Sequence, residues 1–323
     1  MGKLALGLDL GGTKIAAVVM TTDGEIVGCG RKRTILADDP EQTAQRLRRT
    51  AEKALAEAKA GWPEVGSVGI AVPSPVEPAT GEMLNAPNLR WEGVQARKLF
   101  AAAFEREVFL ENDGNCGTLA EQQFGAMKGL PNVVGFFVGT GLGGGIILGG
   151  RLHRGLHGLA GELGHMVVAV GGHPCSCGNC GCAEAYCSKA AFGRQFRRLI
   201  QRRGRPSSLT QEVGDELDNV RSRLLAKAYE AGDEVVCTVL NEGAAMLGVA
   251  VANLMAALAP DGIVLGGGVM QALGKELLPF VRGGMARNLF ALDPKDVNLK
   301  LSRLGDDAVP AGAAHVGRRR GAV

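Results

Sequence analysis

The run Leu4 to Gly30, LALGLDL-GGTK-IAAVVM-TTDG-EIVGCG, sets three apolar segments between two turn signals. It reads as an antiparallel meander with a glycine turn at its first corner. Working outward, residues 40 to 60 open with Pro40, carry Glu41 in the first turn and place Ala44, Leu47, Ala51, Ala54, Leu55 and Ala58 at helical spacing. That is an amphipathic helix, stopped near Gly61 and Pro63. SVGIAV (67–72) is a buried strand, VQARKLFAAAFER (94–106) a second helix and VFLE (108–111) a further strand. The order β-β-β-α-β-α-β is that of a layered α/β lobe. From Asn112 the scheme restarts with a helix through Leu119 to Phe124, strands VVGFFV and GGIILGG, a second hairpin, a cysteine-rich loop, several helices to about residue 258 and a late strand, IVLGGG. The restart predicts two similar lobes with a cleft between them.

With 323 residues, 46% hydrophobic and 21% charged, the chain is large enough for one big domain or two lobes and too apolar for disorder. Its 49 glycines are about twice the usual share of roughly 7%, and they gather in short clusters. Those clusters are turns that approach a ligand closely, not linker. A net charge of +3 with scattered lysine and arginine argues against a nucleic-acid platform and against a membrane surface. The basic run Arg194, Arg197, Arg198, Arg202, Arg203, Arg205 reads as a solvated helix face, and Arg318 to Arg320 as a frayed tail. Asp9 interrupts the first apolar run, so no signal peptide is expected. AAMLGVAVANLMAALA (244–259) is short for a span of about 20 residues and reads as a core helix. The expected compartment is the cytoplasm, where eight cysteines are metal ligands or buried thiols. Cys29, Cys116, Cys187 and Cys237, standing alone, are expected as small buried hydrophobes.

Cys175, Cys177, Cys180 and Cys182 lie within eight residues, with His165 and His173 just upstream. Thiolates and imidazoles so spaced can close a tetrahedral Zn²⁺ site. Asp9-Leu10-Gly11-Gly12-Thr13-Lys14 puts an acid at a strand end before two glycines and a hydroxyl. Such a turn can wrap phosphate oxygens while the acid holds Mg²⁺; it can equally be a plain hairpin turn. It has neither Walker nor dinucleotide-fingerprint spacing. Gly139-Thr140-Gly141-Leu142-Gly143-Gly144 is a second turn between apolar strands. Gly266-Gly267-Gly268 is a third, suited to close approach of a base or ribose. In Glu111-Asn112-Asp113-Gly114-Asn115, Asp113 stands where a strand gives way to a helix. It is either that helix's N-cap or a general base for a substrate hydroxyl, with Asn112 holding a second hydroxyl.

DLGGTK, ENDGN, VGTGLGGGI, GLAGELGHM and CSCGNCGCAE, in this order and spacing, resemble the ROK sugar kinases within the actin-like ATPase group. The likeness runs from residue 4 to about 316. GCAEAYCS together with NAPNLRW most resembles the bacterial glucokinase branch. The resemblance implies a two-lobed, ribonuclease H-like α/β fold with a cleft between the lobes and a zinc-binding loop. The lobes are expected at 1–112, joined by a C-terminal helix of about 306–323, and at 113–305, with the zinc loop at 165–184. By position it implies Asp113 as catalytic base, with Asn112, Glu162, His165 and Glu184 gripping sugar hydroxyls. Asp9, Gly11, Gly12, Thr13, Lys14, Thr140 and Gly141 are implied to handle Mg²⁺ and the phosphates of ATP. Gly266 and Gly267 are expected on the nucleotide. His165, Cys175, Cys177 and Cys182 are implied as zinc ligands. Spacing alone would favour the Cys177-x-x-Cys180 pair instead of Cys182. AVPSP departs from the family's G-x-P-G turn by placing Ser74 at the glycine.

The function expected is ATP-dependent phosphorylation of glucose to glucose 6-phosphate. N-acetylmannosamine, N-acetylglucosamine or fructose are alternative substrates, because the same grip residues serve them all. The related sugar-responsive repressors need a DNA-binding helix-turn-helix ahead of the core, and a phosphate turn at Asp9 leaves no room for one. A non-catalytic sugar sensor is the remaining alternative, disfavoured by the presence of Asp113. A homodimer or dimer of dimers is the implied assembly.

Overall fold

A computed structural model describes residues 3–35, 39–84, 91, 94–218, 220–321 and 323. Residues 85–90, which carry most of the glucokinase-like NAPNLRW, lie outside the described residues. The chain divides into two compact units: residues 1–131, 145–161 and 306–323 form the first, and 132–144 with 162–305 the second.

In the first unit the meander forms as its alternation dictates. β1 (Leu4–Leu10) pairs antiparallel with β2 (Lys14–Met20), and β2 with β3 (Ile26–Arg33). The sheet is ordered β3-β2-β1-β4-β5, with β4 (Val65–Val72) and β5 (Phe109–Asn112) added in parallel. α1 (Pro40–Glu57) begins in a capping box, where the Asp39 carboxylate accepts from Gln42 N–H at 2.7 Å and Gln42 Oε1 accepts from Asp39 N–H at 3.3 Å. Its buried face, Ala44, Leu47, Ala51, Ala54 and Leu55, joins the strands' apolar side chains in one core. α2 (Ala96–Phe104) adds Phe100 and Phe104 to that core. α3 (Asp113–Gln123) follows β5 directly.

In the second unit β6 (Val133–Val138) leads through the glycine turn into β7 (Leu142–Leu148), which begins inside that turn, at Leu142. β7 carries the chain back to the first unit, where β8 (Arg151–Leu152) pairs with it. α4 (Lys189–Phe196), continued by a π-helical run Arg197–Arg202, α5 (Leu209–Val213) and α6 (Ser222–Glu230) precede α7 (Glu234–Leu258). α7 is long and apolar enough to cross a membrane by composition. It instead packs along α8 (Gly267–Ala286), with Val235, Leu240, Leu247 and Val251 buried. β9 (Gly262–Gly266) and β10 (Leu299–Leu301) complete a second sheet ordered β10-β9-β6-β7-β8, in which β9 runs parallel to both its neighbours.

The chain ends in the first unit with α9 (Ala308–Arg318), which lies on β1, β4 and α3. Residues 113–131, whose helix α3 packs on α9, and residues 145–161 both group with the first unit, where a single boundary was expected at Asn112. Backbone touches backbone here: a Cβ at Gly7 would meet Pro310 O, and one at Gly69 would meet Ala313 O. The end of α9 is not the frayed tail expected from three arginines. Arg318 donates to the carbonyls of Thr21 and Thr22, and Arg320 pairs with Glu107. The other basic run conforms to a solvated face, with Arg197 paired to Asp218, Arg205 to Glu234, and Leu199 and Ile200 turned inward. Cys116 and Cys187 are buried thiols as expected, whereas Cys29 and Cys237 are only half-buried.

Gly69→Val should therefore strain the sheet–helix contact. We expect a loss of about 1–3 kcal/mol, the usual scale of overpacking, read as a lower urea midpoint; an unchanged midpoint would show that α9 can step away from the sheet at no cost.

Candidate active site

The sequence-predicted residues fall into two sets. Asp9, Gly11, Gly12, Thr13, Lys14, Asn112 and Asp113 belong to the first unit, and Thr140, Gly141, Glu162, His165, Cys175, Cys177, Cys182, Glu184, Gly266 and Gly267 to the second.

In the first unit the turn after β1 is closed by Gly11 N–H donating to Lys14 O at 3.1 Å and by the Thr34 hydroxyl donating to Gly11 O at 2.6 Å. Open space surrounds the position a Cβ would take at Gly12, so the turn presents bare backbone. Lys14 is engaged by Asp306 at 2.8 Å, just before α9. Asp9 keeps some solvent contact, yet burial raises its carboxyl to about 7, and the nearby Asp113 charge adds to the rise; Lys14 opposes it and Asp306 adds a little more. Two carboxylates this close favour a cation between or beside them.

Asp113 opens α3, but it is not the cap. Asn112 caps the helix, its Oδ1 accepting from Asn115 N–H at 3.1 Å. The Asp113 carboxylate accepts from its neighbour Gly114 N–H at 2.7 Å. Asn112 Nδ2 points to Ser74 O at 3.4 Å, and the Ser74 hydroxyl, itself buried, donates to Pro75 O. The departure at Ser74 thus sits directly against a residue expected to touch sugar.

In the second unit the glycine turn is docked on the start of α4, with Lys189 N–H donating to Gly139 O at 3.0 Å and Ala190 N–H to Thr140 O at 3.2 Å. Glu184 is clamped beside it. One carboxylate oxygen accepts from Leu142 N–H at 2.9 Å and the other from the Ser176 hydroxyl at 3.1 Å. A Cβ at Gly141 would strike Glu184 Oε2, so a larger residue there would displace the carboxylate from this position. Glu162 lies before the Leu163–His165 turn; the protein around it raises its carboxyl, His165 opposes the rise and Glu184 adds to it. The side chain is solvent-exposed, which limits the effect. Gly267, at φ +84°, starts α8 where a Cβ would meet the Val138 backbone.

His165, Cys175, Cys177 and Cys182 offer ligand atoms that all lie within 4.8 Å of one another. Cys177 Sγ and Cys182 Sγ are 3.7 Å apart, as are Cys175 Sγ and His165 Nδ1. Zn–S bonds of about 2.3 Å put two thiolates of a tetrahedral site roughly 3.8 Å apart, so this set fits Zn²⁺. Cys180 is exposed and outside the set, its backbone bridging Pro174. Burial first, then the neighbouring sulfurs, push Cys182 up to about 12, and only a bound cation would hold it as thiolate.

Sequence reasoning missed the capping role of Asn112, the Ser176 bond to Glu184, the Lys14–Asp306 pair and the pairing of buried Glu111 with half-buried Arg154 behind the Asn112–Asp113 turn. Ser176 was findable, since it lies inside the cysteine loop. Arg154 and Asp306 carry no local signal, because each finds its partner far along the chain.

A family model described as ROK family matches residues 5–320. The chain is 31% identical over 322 residues to the glucokinase of Thermotoga maritima, covering 99% of each. It is 30% identical over 307 residues to the xylose repressor of Caldicellulosiruptor bescii, covering 95% of this chain and 76% of that one. Among solved structures, a ROK family glucokinase from Streptomyces griseus in complex with glucose and AMPPNP aligns with TM-score 0.86 and 30% identity over 98% of this chain and 99% of that one.

The donor geometry sets an expectation for metal content. Metal analysis should return close to one Zn²⁺ per chain, lost in Cys182→Ser and retained in Cys180→Ser; the reverse pattern would move the fourth ligand to Cys180.

Proposed function

The chain belongs to the ROK family, and from that premise we propose that it transfers the γ-phosphoryl group of ATP to glucose, giving glucose 6-phosphate. The observation that carries the reading is the turn at Asn112–Asp113. Asn112 supplies the helix cap, and the Asp113 carboxylate, held at the first position of α3 by Gly114 N–H, is assigned to take the proton of the attacking hydroxyl.

The remaining roles follow from charge and hydrogen-bonding capacity. The bare turn at Gly11 to Thr13, with Thr140 and Gly141, offers backbone N–H groups to phosphate oxygens. Mg²⁺ held near Asp9 would supply charge neutralisation for the transferring group, and it would offset the burial and the neighbouring Asp113 charge that raise the Asp9 carboxyl. Glu162 and Glu184 are acceptors, suited to hydroxyls that donate. Zn²⁺ on His165, Cys175, Cys177 and Cys182 would hold the loop whose Ser176 steadies Glu184. Gly266 and Gly267 are assigned to the nucleotide's base or ribose.

Glucose is favoured by the similarity to relatives described as glucokinases, one of them in complex with glucose and AMPPNP. An acetamido group at carbon 2 would replace a hydroxyl donor and demand extra space. Sugar sensing without turnover is the second reading, favoured by the similar identity to a xylose repressor.

A panel of sugars in one coupled assay for ADP release separates these readings. Glucose should give the highest kcat/KM, with mannose or glucosamine weaker and N-acetyl sugars poorest. A higher value for N-acetylmannosamine or fructose would reject glucose while leaving a kinase, and sugar binding with no ADP release from any member would leave only the sensor.

A further inference from the structure

Glu111, the residue before the Asn112–Asp113 turn, is 3% exposed. A carboxylate buried so deeply needs its lone pairs occupied and its charge balanced. Both conditions are met. Oε1 accepts from Asn112 N–H at 3.0 Å and from Asn115 Nδ2 at 3.0 Å, while Oε2 accepts from Arg154 Nε at 2.8 Å. Arg154 in turn donates through Nη2 to Gly321 O at 3.1 Å, just beyond α9.

The bonds converge on the two neighbours that fix how Asp113 leaves the strand. Asn112 is held at its N–H by Glu111 and at its Oδ1 by the helix cap. Asn115 is held at its N–H by Asn112 and at its side chain by Glu111. Were Glu111 without Arg154, its charge would be buried and unbalanced, and it would either move toward solvent or take a proton. Either response loosens the N–H bond that sets the turn. Displacements of about 1 Å at a reacting group can cost on the order of 10²-fold in rate.

We propose that Arg154 is a positioning residue for phosphoryl transfer, acting through the buried Glu111 carboxylate to fix the Asn112–Asp113 turn. The proposal rests on the reading of Asp113 as general base. A pair that only stabilised the fold would affect the thermal midpoint and leave turnover of the folded enzyme alone. A positioning pair lowers kcat in molecules that are fully folded.

The test uses full-length Arg154→Met, Arg154→Lys and the double variant Glu111→Gln/Arg154→Met, with Asp113→Asn and the unaltered protein alongside. Each is assayed with glucose and ATP well below its own thermal midpoint. The double variant guards against a fold failure of Arg154→Met, because removing both charges avoids the uncompensated buried one. Arg154→Met should lose about 10-fold or more in kcat, with the KM for ATP within about twofold of the unaltered protein. Arg154→Lys should recover part of that loss, since it restores the charge but not the forked reach to Gly321. The double variant should regain stability and remain slow. A double variant with both stability and kcat restored would overturn the proposal, as would an Arg154→Met enzyme of unchanged kcat beside a slow Asp113→Asn. Asp113→Asn turning over as fast as the unaltered protein would remove the base assignment, and the positioning role with it.

Discussion

Helix α9 lies against the first sheet with backbone on backbone, a contact that exists only because Gly7 and Gly69 have no side chains to hold it off. The end of the chain is thereby brought onto its beginning, and residues at both ends of α9 reach toward the turns proposed for phosphate and for the base. Ahead of it, Asp306 engages Lys14 and Asp307 engages Arg31. Beyond it, the carbonyl of Gly321 receives Arg154, whose other bond balances Glu111 behind Asn112. Residues flanking one helix thus reach the turn after β1 and the turn after β5, which precede it by about two hundred residues or more.

The second unit is organised around Glu184. Its carboxylate is an acceptor twice over, to Leu142 N–H in the glycine turn and to Ser176 in the cysteine loop. The acid proposed to read a sugar hydroxyl is therefore coupled by single hydrogen bonds to the turn proposed for phosphate and to the loop proposed for zinc. Oε1 also faces Cys175 Sγ at 4.0 Å, whereas Oε2, with Leu142 N–H as its partner, keeps acceptor capacity for a hydroxyl. Gly141 matters to the arrangement, because a Cβ there would push the Glu184 carboxylate from its place.

Much of this was legible in the sequence because it is local. Alternation predicted β1, β2 and β3, the Pro40 start predicted α1, and the alanine-rich stretch at 244–259 proved to be part of the buried helix α7. The cysteine spacing announced a metal-ligand cluster but not its membership. Cys177 and Cys180 look paired in sequence, yet the bend at Gly181, φ +84°, turns Cys182 inward and leaves Cys180 outside. What could not be read depends on distant partners. Nothing near Arg154 names Glu111, and nothing in a run of arginines tells that Arg318 will bond the carbonyls of Thr21 and Thr22. The cap at Asn112 instead of Asp113 was a one-residue ambiguity that only the strand's end at Asn112 resolves.

Catalysis by a base at Asp113 differs from binding by a structural acid in one measurable respect: the base matters to turnover and not to affinity. Calorimetric titration of glucose into Asp113→Asn, set beside its single-turnover rate with ATP, tests this directly. The account expects affinity close to that of the unaltered protein and a rate lower by about 10² or more, the usual scale for a general base; equal loss of affinity and rate, or no loss of rate, would contradict it.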